Sequence, residues 1–330
     1  MLNHKSIVSE HNPLGLPLGL RQMGEPNACG HRFGWRYVLD SIAGHSDGLA
    51  LPKLCLDDFV ERTFQHDDTD FVWKTPWVGI FHHPPGVPEW FDPSAPLQKI
   101  LKSDRFLASL PYLRGAIVLS EHLGNWLTAC IDVPVRVLKH PTGTSVPMFD
   151  LSGWTSQPRR KVVQVGWYLR NYRAIYQLPD HRRLSKVHLF QDRPWIREAM
   201  TRTDRYSPTS HRKDHGTVEV VGRLSDRSYD DLLSKSIVLC EYFDVSATNT
   251  AIECIARNTP FLVNRHPALE EYLGKNYPLF YDSIEEASSM AADTKKVREG
   301  YEWLNGLSKS PTQGDQFVRQ VVEFLRELGD

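Results

Sequence analysis

The stretch Asp244–Gly274, DVSATNTAIECIARNTPFLVNRHPALEEYLG, carries the strongest indication of fold and function in this sequence. The apolar run Ser236–Tyr242 before it predicts a buried strand, and a loop of small polar residues, Ser246–Thr250, follows. A helix is predicted from Thr250, because Thr250 and Glu253 have the spacing of a capping box. The free N–H groups of a helix N-terminus suit phosphate, and α/β sheets bind ligands at the carboxyl ends of their strands. The residues predicted to face such a ligand are Ser246, Thr248, Asn249 and Thr250.

The rest of the second half repeats this alternation of strand and helix. Helical spacing is found in Arg227–Ser234, Thr250–Arg257 and Pro267–Leu273. Short β-rich runs between such helices predict βα units around a parallel sheet. These runs are Lys161–Trp167, Lys186–Phe190, Thr217–Gly222, Ser236–Tyr242, Pro260–Asn264 and Pro278–Tyr281.

The first half shows a weaker form of the same pattern. Helices are predicted at Gly34–Ile42 and Pro96–Leu107, and no strand is predicted before Gly30. Residues 1–25, rich in Gly, Pro and Asn, predict an irregular arm. The predicted strands are Trp77–Phe81, Ala116–Ser120 and Val133–Leu138.

The segment Pro141–Arg160 combines Pro, Gly, Ser and Thr without periodicity, which is typical of a linker. The chain of 330 residues is long enough for two domains. We therefore predict one domain at 1–155 and a second at 156–330. The polar, basic segment Thr201–Gly216 is predicted to be a long loop.

Composition excludes several classes of protein. A formal net charge of −1 argues against a general nucleic-acid binder. Five widely spaced cysteines without a C-x-x-C pair argue against a disulfide framework and favour a reducing compartment. Cys130, Cys240 and Cys254 lie in apolar runs and are predicted to be buried.

No apolar stretch is long enough to cross a bilayer, so we expect a cytoplasmic protein, with contact at a membrane surface left open.

The Asp244–Gly274 stretch resembles the donor-binding motif of retaining GT-B glycosyltransferases of the family-4 kind. The matching residues are Glu253, the run Thr259–Val263 and either Glu270 or Glu271. The resemblance implies that Glu253 binds the ribose of a nucleotide. The family's other glutamate would fall at Val245, so the double-glutamate motif is broken and Asp244, beside it, is the candidate.

A second match is the segment Val165–Arg173, VGWYLRNYR, which resembles the family's first donor-domain strand and turn. There a glycine precedes basic residues that contact the diphosphate, which implies these roles for Gly166, Arg170 and Arg173. A guanidinium suits this task because it binds phosphate oxygens in a bidentate manner and keeps its charge.

His82 and His83 follow the strand Trp77–Phe81 directly. In an extended segment adjacent side chains point in opposite directions, so only one of the two imidazoles is expected to face a cleft. In the family a histidine on a comparable loop faces the reacting sugar. A metal site is the competing interpretation, but no H-x-x-x-H pattern or cysteine accompanies the pair. The nearest Asp-x-Asp motif, residues 68–70, lies in a polar loop, so no metal is predicted.

Two further segments agree with this resemblance. Ser120, Glu121 and His122 follow a strand where the family often has a serine-acid pair. The loop from Asn27 to Trp35 resembles the glycine-bearing loop on the acceptor side. The residues implied for the acceptor side are Gly30, His31 and Trp35.

The resemblance implies an α/β protein of GT-B type, with two Rossmann-like domains facing each other across a cleft. The implied activity is metal-independent transfer of a sugar, with retention, from a UDP- or GDP-sugar to a hydroxyl of a glycan, a lipid-linked or a small-molecule acceptor. A nucleotide-sugar epimerase and a degenerate, non-catalytic binding subunit are the alternatives. The change at Val245 favours the second of these.

Overall fold

Two parallel β-sheets, one in each half of the chain, organise the computed structural model. It describes residues 19–21, 34–45, 54–66, 70–94 and 96–329. Each sheet is formed by strands that alternate with helices, as the sequence pattern predicts.

The first sheet has five strands in the order β1-β2-β3-β4-β5, all parallel. Its strand β1 contradicts the irregular arm predicted for residues 1–25. Three residues, Gly-Leu-Arg at the sheet edge, are too few to produce an alternating pattern. The strands are β1 Gly19–Arg21, β2 Cys55–Asp57, β3 Trp77–Phe81, β4 Leu113–Val118 and β5 Val135–Val137.

The helix predicted at Pro96–Leu107 is two helices. Ser103 interrupts it, because its hydroxyl accepts the N–H of Phe106 and so begins a new helix. The helices of this half are α1 Gly34–His45, α2 Leu97–Leu101, α3 Asp104–Ser109, α4 Glu121–Thr128 and α5 Leu151–Thr155.

The second sheet has six parallel strands in the order β11-β10-β9-β6-β7-β8. Counted from the first strand of this half, the order is 6-5-4-1-2-3, which is the Rossmann arrangement. The strands are β6 Arg160–Val165, β7 Leu184–Leu189, β8 Val218–Val221, β9 Ile237–Cys240, β10 Phe261–Asn264 and β11 Phe280–Tyr281. The strand order reverses between β6 and β9, so their carboxyl ends form the switch point where such sheets bind ligands.

Helix α9 begins one residue before the predicted start, with Thr248 as the N-cap residue. The capping box predicted for Thr250 and Glu253 is therefore wrong, since Thr250 lies inside the helix and Glu253 bonds to Tyr229 instead. The helices of the second half are α6 Ala174–Gln177, α7 Pro194–Tyr206, α8 Asp226–Ser234, α9 Asn249–Arg257, α10 Pro267–Leu273, α11 Ile284–Ala292, α12 Thr294–Gly306 and α13 Gly314–Glu327.

The last helix, α13, packs against the first sheet. Its buried Phe317, Val321 and Phe324 share a hydrophobic core with Leu56 and Val78 of β2 and β3. The amphipathic pattern of α13 predicts that one face of the helix is buried, but it does not indicate which sheet covers that face. We keep the division near residue 155 as a proposal, with α13 joined to the first domain.

The chain crosses between the two halves twice, and the crossings lie side by side. Thr142, in the first crossing, forms a parallel bridge with Gln313, just before α13. The Thr142 N–H donates to the Thr312 carbonyl over 2.8 Å. The predicted linker is thus paired with a second connecting segment, and it also contains α5.

Among the four described cysteines, none is in a disulfide, in agreement with the prediction. Cys240 and Cys254 are buried as predicted. Cys130 is exposed, because it follows the end of α4 rather than continuing a strand.

Candidate functional site

The turn after β6 and the loop after β9 meet at the switch point. Arg170 from the turn donates a hydrogen bond from Nη2 to the Thr248 hydroxyl over 2.9 Å, and its Nη1 donates to the Val165 carbonyl. Its guanidinium lies 5.1 Å from the centre of the Tyr242 ring. The structure therefore brings Arg170 to the corner where the sequence predicts a phosphate site.

Gly166 makes this position of Arg170 possible. Its φ of +74° is one that residues with a Cβ rarely adopt. A Cβ added there would lie 1.4 Å from the Arg170 Nη1, so the guanidinium occupies the space that only glycine leaves open.

The Arg170 side chain is a buried cation, with 8% of the residue exposed. Within the described ranges it has no carboxylate partner, and its Nε–H has no hydrogen-bond acceptor. A buried charge without a counter-charge is unfavourable. The corner is therefore electrostatically complementary to an anion.

Asn171 fixes the turn that carries Arg170. Its N–H donates to the Glu241 carbonyl over 2.8 Å, and its Nδ2 donates to the Glu241 carboxylate over 2.7 Å. The side chain of Gln164 donates to the Asn171 carbonyl over 2.9 Å. This buried network was not predicted, because the sequence VGWYLRNYR shows the basic residues but not the Asn171 partners, Gln164 on β6 and Glu241 directly after β9.

The other predicted residues lie in the loop after β9, and they have different hydrogen-bond partners. The Ser246 hydroxyl lies 3.1 Å from the Ser120 hydroxyl of the first domain. The Thr248 hydroxyl bonds to Arg170 and Tyr242, so it does not cap α9. Among the described residues, the first turn of α9 therefore keeps backbone N–H groups without a side-chain acceptor, which suits a phosphate site. Asn249 begins this turn, and its Oδ1 is buried without a partner in the described chain.

Glu253 is buried in α9. One oxygen of its carboxylate accepts the Tyr229 hydroxyl of α8 over 2.6 Å. Thr250, one turn earlier, is also buried.

The two histidines after β3 both contact the Phe59 ring, with centroids 4.7 and 5.7 Å away, so they do not alternate as in an extended strand, but their polar atoms have different partners. His82 turns into the first domain, where its Nε2 lies 2.8 Å from the Asp58 carbonyl oxygen. Burial lowers the pKa of His82 to about 3. The His83 Nδ1 lies 3.2 Å from the hydroxyl of Tyr168, which belongs to the turn after β6. His83 is therefore the histidine that faces the second domain.

Glu61 holds both of these residues by their backbone. One carboxylate oxygen accepts the N–H of His82 over 2.8 Å and that of His83 over 2.7 Å. The other oxygen is buried and has no partner among the residues described. Burial raises the pKa of the Glu61 carboxyl to about 7. Glu61 was not predicted, because it lies 21 residues before His82 in an unremarkable segment.

Glu61 should make the stability of the protein depend on pH. Its pKa is about 7 in the folded chain, above the ordinary value of 4.5 for this carboxyl group, so folding favours the protonated form. Its stabilising contribution is complete below pH 4.5 and is lost as pH rises to about 7, which amounts to about 3 kcal/mol. We expect the unfolding free energy of the native chain, minus that of Glu61→Gln, to fall over this range. A difference that stays constant from pH 4.5 to 7 in denaturant titrations would contradict the assignment.

Asp244 connects the two domains. Its Oδ2 accepts the Gly86 N–H over 2.6 Å, and its Oδ1 accepts the Val245 N–H over 2.7 Å. The Nε2 of His266 lies 2.8 Å from Oδ1, and that of His122 lies 3.6 Å from it. Burial acts to raise the pKa of this carboxyl, but the two imidazoles outweigh it and hold the pKa below its usual range.

The proton on His266 can be assigned from its neighbours. His266 is the N-cap residue of α10, and its Nδ1 accepts the Ala268 N–H over 3.2 Å. A neutral imidazole has one donor and one acceptor, so Nε2 carries the proton and donates to Asp244. His266 was not predicted, although its position directly before Pro267 is typical of an N-cap residue.

Several solved glycosyltransferase structures superpose on this chain. HepE from Anabaena in complex with UDP-glucose superposes with a TM-score of 0.60 at 12% identity, over 94% of this chain and 99% of that chain. Sucrose-phosphate synthase from Thermosynechococcus elongatus superposes with a TM-score of 0.57 at 13% identity, over 89% of this chain and 77% of that chain. An α,α-trehalose-phosphate synthase from Burkholderia vietnamiensis superposes with a TM-score of 0.52 at 14% identity, over 89% of this chain and 77% of that chain. No protein-family model and no curated protein sequence matches the chain.

The chain has the GT-B fold. The predicted fold class is thus confirmed, with two sheets of parallel strands and helices between them. None of the described helices is both long and apolar enough to span a bilayer.

Arg173 does not reach the corner of this GT-B chain. Its guanidinium forms ion pairs with Asp204, over 3.0 Å, and with Asp214. In the basic segment predicted as a long loop, residues 201–206 belong to α7, and Arg212 pairs with Glu241 over 2.7 Å. Both arginines are therefore neutralised by carboxylates within the second domain.

The predicted acceptor-side residues fall mostly outside the described chain. Gly30 and His31 lie outside it. Trp35 is the second residue of α1.

Helix α10 of the second GT-B domain docks on the first domain through Glu271 and Tyr272. The Glu271 carboxylate accepts the N–H groups of Glu121 and His122, over 2.7 and 2.8 Å, and so caps α4 from the other domain. The Tyr272 hydroxyl donates to the Leu119 carbonyl over 2.6 Å. Of the two acidic residues matched in ALEEYLG, Glu271 is thus the one at the domain interface.

Glu271→Ala should destabilise the protein by about 1–2 kcal/mol, because α4 loses an acceptor for two N–H groups of its first turn. The matched control is Glu270→Ala, whose side chain pairs with Arg265 at the surface over 3.1 Å. Exposed pairs contribute little, so the control should change stability by less than about 0.5 kcal/mol. Equal losses for the two variants in denaturant titrations would show that the interdomain cap contributes nothing.

Proposed function

We propose that this GT-B protein is a glycosyltransferase that moves a sugar from a nucleoside-diphosphate sugar to an acceptor hydroxyl. The observation that carries the proposal is Arg170, a buried cation without a described carboxylate partner, at the switch point of the Rossmann sheet. Neutralising the departing diphosphate is the main electrostatic task in such a transfer. A guanidinium beside an uncapped helix N-terminus is suited to it.

The other roles follow from position in the cleft. The diphosphate lies against Arg170 and the first turn of α9, and Glu253 binds the ribose with its carboxylate oriented by Tyr229. His83 faces the transferred sugar from the first domain. In the transfer reaction Asp244 receives a positioning role, because backbone N–H groups of Gly86 and Val245 fix its two oxygens.

The acceptor and the outcome of the reaction remain predictions from the resemblance. The acceptor enters from the first domain, on the side of the segment that contains Gly30, His31 and Trp35, and the anomeric configuration is retained. UDP and GDP are the nucleotides to test first, since HepE was solved with UDP-glucose. A cytoplasmic location likewise remains a prediction.

A thermal-shift screen in chelator tests the nucleotide site. A ligand that binds only the folded chain raises its melting temperature. We expect UDP, GDP or a corresponding sugar nucleotide to stabilise the protein, and the matching nucleoside, which lacks the diphosphate, to do so far less. The proposal fails if no diphosphate stabilises the chain more than its nucleoside.

A degenerate binding subunit is the second candidate, and it is supported by Val245 and by the fully engaged Asp244. Calorimetry separates the cases, because a scaffold that has lost its site should not bind UDP or GDP.

An epimerase is separated by product analysis with a sugar nucleotide and no acceptor. Only the epimerase would convert the donor to its epimer under those conditions.

A further inference from the structure

We propose that His122, Asp244 and His266 form a binding site for a divalent transition metal such as Zn²⁺ between the two domains. Their ligand atoms, the two Nε2 atoms and Oδ1, all lie within 4.8 Å of one another. His122 comes from α4 of the first domain, whereas Asp244 and His266 come from the second.

The geometry agrees with tetrahedral coordination. Zinc bonds of about 2.0–2.1 Å to nitrogen and oxygen place neighbouring ligand atoms about 3.3 Å apart. The distances from Asp244 Oδ1 to the two Nε2 atoms, 2.8 and 3.6 Å, lie on either side of this value. The imidazole rings have centroids 4.9 Å apart and planes at 82°, and their Nε2 atoms lie within 4.8 Å of each other.

His122 provides an observation that hydrogen bonding within the cluster does not explain. Its Nε2 is buried, and at 3.6 Å from Asp244 it has no hydrogen-bond partner in the described part of the chain. Buried polar atoms of this kind are uncommon and call for a partner. A metal ion between the two histidines would be that partner.

The surroundings of Asp244 hold its carboxylate in place. The Gly86 N–H donates to Oδ2 over 2.6 Å, and the Val245 N–H donates over 2.7 Å to Oδ1, the oxygen that lies nearest the two imidazoles. Such hydrogen bonds to a ligating carboxylate are typical of metal sites. Two imidazoles and a carboxylate suit zinc and its neighbours rather than Mg²⁺, and three protein ligands leave a fourth position for an oxygen ligand.

Metal binding displaces the proton on His266 Nε2. That proton moves to Nδ1, so the hydrogen bond from the Ala268 N–H to Nδ1 is lost.

The test uses the full-length chain, stripped with chelator and titrated with Zn²⁺ and Co²⁺. We expect one equivalent of metal per chain and visible absorption from Co²⁺ in a low-symmetry site. Outer-sphere changes cost about 10–100-fold in affinity, so His122→Ala, Asp244→Asn and His266→Ala should each weaken binding by at least about tenfold. The control is His211→Ala, which removes an exposed histidine far along the chain from the cluster.

Melting temperatures in chelator show whether each variant folds, and His122→Gln replaces His122→Ala if the alanine variant does not. The proposal is overturned if the native chain binds no stoichiometric metal, or if the cluster variants bind as tightly as the native chain. Because UDP and GDP binding is measured in chelator, failure of the metal site is distinguishable from failure of the nucleotide site.

Discussion

Arg170→Ala should remove most of the stabilisation that UDP or GDP gives the chain and lower turnover by about 10²–10³-fold. The change deletes the buried guanidinium that faces the corner between β6 and α9. Loss of one preorganised donor to developing charge costs about that much in other enzymes. Calorimetry with the nucleoside diphosphate measures binding, and release of the diphosphate measures turnover once an acceptor is known.

Arg170→Lys is the matched variant for this prediction. Lysine keeps the charge but cannot bond to both Val165 and Thr248 with a planar fork. We expect diphosphate binding between that of the native chain and that of Arg170→Ala. Unchanged binding in the alanine variant, with a melting temperature that shows a folded protein, would remove Arg170 from the site.

Gly166→Ala should impair diphosphate binding as severely as Arg170→Ala and also destabilise the fold. The new Cβ would lie 1.4 Å from the Arg170 Nη1, and the backbone φ of +74° is unfavourable for alanine. The strain alone is expected to cost about 1–2 kcal/mol. Displacement of the buried guanidinium adds to it.

A double-mutant cycle separates these two contributions. In the Arg170→Ala background the clash is absent, so Gly166→Ala should then cost only the backbone strain. We expect a coupling free energy of about 1–3 kcal/mol between the two positions. Additive effects would mean that the glycine serves the turn alone and does not accommodate the arginine.

The strands could be predicted from the sequence because parallel strands buried on both faces are continuous apolar runs. The core runs of β6, β9 and β10 are found where they were predicted. The start of α9 was misplaced by one residue, because the pair Thr250 and Glu253 matches a local capping pattern. The tertiary contact from Glu253 to Tyr229 overrides that pattern.

The candidate site was predicted only as far as local spacing allows. Arg170 was found because a glycine and a basic residue after a strand form a local pattern. Arg173 satisfies the same pattern, yet Asp204 and Asp214, more than 30 residues away, hold it elsewhere. Glu61 and His266 were missed for the same reason, since their roles depend on partners about 20 residues distant.

The paired crossings at Thr142 and Gln313 restrict how the two domains can move. A single tether would allow the domains to twist and slide in any direction. Two adjacent connecting segments joined by a hydrogen bond instead act as one hinge. Such a hinge allows the domains to rotate but resists lateral sliding. Domain opening should therefore be a rotation about this hinge, and the domains should separate most at the side of the cleft opposite the two crossings.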